Sequence, residues 1–129
     1  MLIFGHAHIP HEKLYHIASI EAIKHTPSNA TLLFDFDEEV FELIGHAQVN
    51  DISFAVNVTS LKEAILVENL DASYILIGSS LANSVQKAAD TYLFDAKILV
   101  HAKDEDMIEE LASQGVDGLI FAEAIIKVS

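Results

Sequence analysis

The sequence predicts an α/β domain in which strand–helix units repeat and the strands run parallel. Three observations carry this reading. Five short apolar runs begin at intervals of roughly 21 to 23 residues: TLLFDFD (31–37), ISFAVNV (52–58), YILIGS (74–79), KILVHA (97–102) and GLIFAE (118–123). Each is apolar at successive positions, as a strand covered on both faces is, whereas a strand with one wet face alternates. The segments between the runs have helical period and helix-end signals, and strand, helix, strand at this spacing demands right-handed crossovers and a parallel sheet.

Taken in chain order, the first 30 residues stand apart. Both prolines, Pro10 and Pro27, and five of the seven histidines fall there. MLIFGHAHIP begins a segment, residues 1–13, that reads as an edge strand or an oligomerisation arm. LYHIAS (14–19) reads as a sixth strand and IEAIKH as a short helix after it. Ser60-Leu61-Lys62-Glu63 fits a capping box, in which serine and glutamate side chains each satisfy an exposed amide of the first turn. Leu61, Ala64 and Ile65 then line one helix face. Ser80 is placed to cap a helix from Leu81 to Ala89. Asp104, Glu105 and Asp106 set negative charge at the positive end of the next helix. Met107, Ile108, Leu111 and Ala112 supply its buried stripe, and Gly115 can take the left-handed conformation that stops it. ENLDASYILI and ASQGVDGLIF superpose with Asp71 opposite Gly115, so the same tight turn is expected at both joints.

Five or six such units fit an open, doubly wound, flavodoxin-like sheet of three layers. The alternative is a partial TIM-like barrel that closes by dimerising, because a complete eight-unit barrel takes at least about 200 residues. No low-complexity stretch or linker divides the chain, so residues 1–129 read as one α/β domain. With 51% apolar residues, a chain of 129 buries enough surface to fold without a staple. It has no cysteine, which excludes disulfides, zinc–thiolate sites and thiol catalysis. Its start lacks a basic region and long apolar core, and no run approaches the roughly 20 residues of a membrane span. A cytoplasmic location away from membranes is therefore expected. The formal net charge is −13 and every basic residue is lysine. Without arginine forks, and with that charge, binding to nucleic acid or an anionic membrane is not expected. The acidity itself serves solubility.

In every parallel α/β architecture, ligands bind where strands end at their carboxyl edge. Those ends carry Asp35 and Asp37, Asn57, Ser79 and Ser80, His101 and Lys103, and Glu123. A histidine between carboxylates can act as a general base and a lysine can stabilise developing negative charge, so Asp35, His101 and Lys103 are the catalytic candidates. The others are candidate ligand-binding groups. Asp37, Ser79 and Ser80 are equally well placed to cap the helices that follow. His6 and His8 form an H-x-H pair after an apolar run, with His11 and His16 close by. Metal-dependent amidohydrolases begin with such a pair, but they need further histidines and an aspartate from later strands, and only His101 stands at one. A lone histidine cluster more often sits at a surface, so no metal is expected, and nothing else in the sequence calls for a cofactor.

Several families share parts of this pattern. FDFDEE resembles the first motif of haloacid-dehalogenase-type phosphatases, which implies Asp35 as nucleophile and Asp37 as acid/base. The chain continues with Glu38 and Glu39 where that family has glycine and threonine. The five units from Thr31 to Ala124 resemble response-regulator receiver domains. Asp35 and Asp37 match the acidic pair, but Gly78 stands near the phosphoacceptor position, His101 at the threonine position and Glu123 near the lysine, so phosphorylation chemistry is not implied. The same stretch is similar to βα units of phosphate-binding barrels, in which a GVDG turn is common, though none of the five glycines clusters into an anion cradle. The full length is similar to a small uncharacterised bacterial family, which implies no activity. The expectation is a non-catalytic binding or interaction domain, forming a homo-oligomer that buries the N-terminal segment. The alternative is a small-molecule enzyme, or a metabolite sensor, with its site at the carboxyl edge of the sheet.

Overall fold

The computed structural model describes residues 1–129. The five apolar runs become adjacent strands, and three shorter strands join them. In chain order the strands are β1 (Leu2–Phe4), β2 (Leu14–His16), β3 (Thr31–Asp35), β4 (Phe54–Asn57), β5 (Tyr74–Ile77), β6 (Lys97–Ala102), β7 (Gly118–Phe121) and β8 (Ile125–Lys127). The helices are α1 (Ile20–Ile23), α2 (Val40–Val49), α3 (Leu61–Asn69), α4 (Ala82–Tyr92) and α5 (Met107–Ser113). All pairings are parallel, in the order β1-β7-β6-β5-β4-β3-β2-β8.

That order corrects the expectation of an open flavodoxin-like sheet with five or six strands. A doubly wound sheet reverses its strand order at a switch point, so that right-handed crossovers put helices on both faces. Here β2 to β7 follow one another without reversal. Every right-handed crossover then lays its helix on the same face, and the natural twist curls the sheet into a partial barrel. A 3-10 turn, Ala122–Ala124, joins β7 to β8. The run 118–127 lies against β6 and β1 with its first half and against β2 with its second. The closing contact is therefore made within the chain.

Two separate cores record the curl. An outer core of 27 buried residues packs the strands against the helices. An inner core joins Phe4, Leu14, Leu33, Ala55, Leu76, Leu99 and Ile120, one from each of β1 to β7, with Ala124. At the base, Glu12 accepts hydrogen bonds from the Tyr74 hydroxyl at 2.6 Å and from Thr31 at 3.1 Å. Burial first, and then Glu12, raise the Tyr74 pKa, so the hydroxyl stays a donor. Residues 1–13 make contacts within the chain: β1 pairs with β7 at one edge of the sheet, the His11 ring packs at a tilt against Phe4, and Lys13 donates to the carbonyl of Glu123.

The helices bury the faces their period predicts, with local exceptions. Val40, Leu43, Ile44 and Ala47 are the buried stripe of α2. Ser60 caps α3, accepting from the Glu63 N–H at 3.2 Å, while the Glu63 carboxylate reaches back to the N–H of Thr59 at 2.9 Å. Ala64 and Val67 are the buried residues of α3, and Ile65 is exposed. Ala112 is likewise exposed on α5, where Leu111 is buried. Ser80 caps nothing: it lies inside a 3-10 turn, Ser79–Leu81, that precedes α4.

Candidate functional site

On a strand, residues two apart share a face. Two positions beyond the inner apolar layer stand His16, Asp35, Asn57, Gly78, His101 and Ala122. The inner face therefore changes from wholly apolar to polar or small in one step, at the carboxyl edge of β2 to β7. Four of these side chains form a continuous line. His16 Nε2 lies 3.0 Å from Asp35 Oδ1. Asn57 Nδ2 donates to the same oxygen at 2.9 Å, and His101 Nε2 reaches Asn57 Oδ1 at 2.8 Å. The last contact spans β5, because His101 belongs to β6 and Asn57 to β4. Gly78 stands on the intervening strand at the end of β5, and a Cβ there would meet nothing within 4 Å.

His101 has a lowered pKa: partial burial penalises the imidazolium and outweighs the raising effect of Asp35, while His16 lowers it further. Beside the line is a cavity of about 540 Å³. His101, Lys103, Ser79 and Glu123 supply its polar lining, and Met107, Ile120 and Ile125 the larger part of its apolar lining. A lysine, a histidine and a carboxylate thus share with apolar side chains the lining of a space the size of a small metabolite.

Of the residues singled out in the sequence, Asp35, Asn57 and His101 are joined by hydrogen bonds, and Ser79, Lys103 and Glu123 line the adjoining cavity. Two stand apart. Asp37 accepts from the N–H of Glu39 at 3.0 Å, a turn-capping role, and Ser80 does not line the cavity. His16 was missed as a site residue; its signal was the end of LYHIAS, a strand whose inward face also carries Leu14. His6 and His8 have ring centroids 5.8 Å apart, and His6 contacts Glu105. They adjoin a shallower recess of about 290 Å³ next to the mouth. No three histidine or acidic side chains come together to hold a metal ion.

A parallel, curled α/β sheet with a polar mouth at its carboxyl edge defines the class: a βα protein with a ligand-sized cleft at its strand ends. No protein-family model and no curated protein sequence matches the chain. Among solved structures it is similar to a phosphodiesterase from Oleispira antarctica, in complex with the product sn-glycerol-3-phosphate, with 25% identity and a TM-score of 0.54. The match covers 79% of this chain and 42% of the other, so the chain spans less than half the length of that enzyme.

Proposed function

We propose that the chain is a binding domain for a small organic molecule carrying hydroxyl groups and an anionic group, held at the carboxyl mouth of the sheet. The observation that carries this is the line His16–Asp35–Asn57–His101, drawn from four strands and set beside the cavity. Half-exposed polar side chains on the inner face contribute little to packing, and four of them meeting at one edge suit recognition. Lys103 brings a cation to the cavity in a chain of net charge −13, and supports an anionic ligand there. The structural neighbour holds sn-glycerol-3-phosphate, which has both chemical features.

The test is thermal unfolding with sn-glycerol-3-phosphate, glycerol, inorganic phosphate and a set of nucleotides. A ligand at 100 times its Kd adds about 2.7 kcal/mol by mass action, enough to raise Tm by several degrees. Gly78→Phe is the blocking variant. The backbone at Gly78 is extended and a Cβ there meets nothing, so the fold tolerates a side chain, which fills the mouth. Ligand stabilisation should vanish in this variant while the unliganded Tm holds. Binding left intact by Gly78→Phe would remove the mouth from consideration.

A second reading is catalysis at the same mouth, with Asp35, His101 and Lys103 as the acting groups, and the phosphodiesterase likeness favours it. Release of sn-glycerol-3-phosphate from a glycerophosphodiester, lost in His101→Ala, would establish turnover. Binding without release supports the non-catalytic reading.

A further inference from the structure

We infer that the mouth network presents His101 to the ligand as a hydrogen-bond acceptor through Nδ1, and that the molecule it takes is a hydroxylated phosphate or carboxylate ester or acid whose O–H donates to that nitrogen. The inference rests on the binding reading above and names the chemistry that site selects. The argument is one of donors and acceptors. A carboxylate only accepts, so the Asn57 group facing Asp35 is the NH2, as the 2.9 Å contact from Nδ2 shows. That orients Oδ1 of the same amide towards His101, 2.8 Å from Nε2. A carbonyl oxygen also only accepts, so Nε2 carries the hydrogen. Neutral His101 therefore keeps its lone pair on Nδ1, and Nδ1 has no hydrogen-bond donor from the protein. Partial burial disfavours the imidazolium, despite Asp35 nearby.

Asn57 is thus a positioning residue, transmitting the fixed polarity of a carboxylate to a ring two strands away. His101 lines the cavity together with Lys103, Glu123 and Ser79. A ligand whose anionic group meets Lys103 can place a neighbouring hydroxyl on Nδ1 and lay its carbon skeleton against Met107, Ile120 and Ile125. A ligand that covers Nδ1 without offering it a hydrogen strips that nitrogen of water and leaves it unpaired, so an analogue lacking the hydroxyl binds more weakly.

The experiment has two arms. Long-range 1H–15N NMR of the imidazoles at pH 7.5 should show His101 as the Nε2–H tautomer, with an unprotonated Nδ1. Titration should then favour sn-glycerol-3-phosphate over n-propyl phosphate, which keeps the phosphate and three carbons but has no hydroxyl, by about tenfold or more. Asn57→Ala, checked for an unchanged fold by its far-UV spectrum, should lose that preference while His101 is still present. A Nδ1–H tautomer, or equal affinity for the two esters, overturns the inference and leaves the binding reading standing. If the Nε2–H tautomer is found and neither ester binds, the ligand assignment falls; if phosphate and the nucleotides also fail to raise Tm, the binding reading falls with it.

Discussion

At the scale of single residues, the mouth departs from what folding alone would select. The inner layer below it is Leu14, Leu33, Ala55, Leu76, Leu99 and Ile120, all buried. One step up, the side chains spend their hydrogen-bonding capacity on each other at a half-open edge, where water would serve equally well. The effect on stability has a definite sign. The folded-state pKa of His101 lies below its ordinary value of 6.5, so between the two values the unfolded chain binds the proton more readily. Stability contributed by neutral His101 is complete above pH 6.5 and declines as pH falls through the window below it. His101→Gln cannot titrate, so its urea midpoint should fall less than that of the native chain between pH 7.5 and 5.5. Parallel declines in the two proteins would mean that His101 is not held neutral by the fold.

At the scale of elements, one joint is used four times. After α2, α3, α4 and α5 a residue with positive φ is followed by an N–H that returns to the carbonyl five residues earlier. These residues are Asp51, Asp71, Leu93 and Gly115, and the returning bonds run from Ile52 to Ala47, Ala72 to Val67, Phe94 to Ala89 and Val116 to Leu111. This is the Schellman arrangement, with an apolar residue next to the reversal folding back onto the sheet. Two of the four were legible in the sequence, because Gly115 and Asp71 are residue types that visit the left-handed region and their flanks superpose. Leu93 gave no such signal: leucine there is strained, and tertiary packing of α4 imposes the turn. Leu93 is 83% exposed with φ 53°, so its side chain is not what holds it there. Leu93→Gly should therefore raise stability by about 0.5 to 1 kcal/mol, and Gly115→Ala, at φ 75°, should cost about 1 kcal/mol. Denaturant melts of the two variants check both signs, and a stabilised Gly115→Ala would contradict the shared-turn account. The five long strands were legible for the same local reason, continuous apolar runs. β8 was not, because Ile125–Lys127 is too short to show a pattern and follows β7 after only three residues. The site followed the strands: knowing where a buried run surfaces was enough to nominate Asp35, Asn57 and His101. The contact from His101 to Asn57 was not legible, because it depends on which strands share a face across the curl.

At the scale of the whole molecule, the difference between an open sheet and a curled one lies in strand order, and no local pattern encodes strand order. A strand covered on both faces has the same apolar composition whether its second cover is a layer of helices or the opposite wall of a barrel. What decides the matter here is the end of the chain. β7 and β8 are one run with a 3-10 turn in the middle, and β8 pairs with β2 at Leu14, Tyr15 and His16. That pairing flanks β2 on the side away from β3 and shuts the inner core of Phe4, Leu14, Leu33, Ala55, Leu76, Leu99, Ile120 and Ala124. Close approach is strict at the other pairing of this run, β7 with β1: a Cβ on Gly118 would come within 2.7 Å of the Leu2 carbonyl oxygen. A chain ending after Ala124 would lack β8 and leave β2 with one neighbour, β3. The helices and the outer core of 27 residues do not depend on that strand, so this truncated chain should retain its helical spectrum. The inner core should open, seen as a lower urea midpoint and as new binding of a hydrophobic dye. The mouth should be lost together with the seam, so any ligand stabilisation found in the full chain should be absent. Because β2 carries one end of the polar line and β6 the other, a truncated chain that kept both its urea midpoint and its ligand response would show that the seam neither closes the core nor shapes the site.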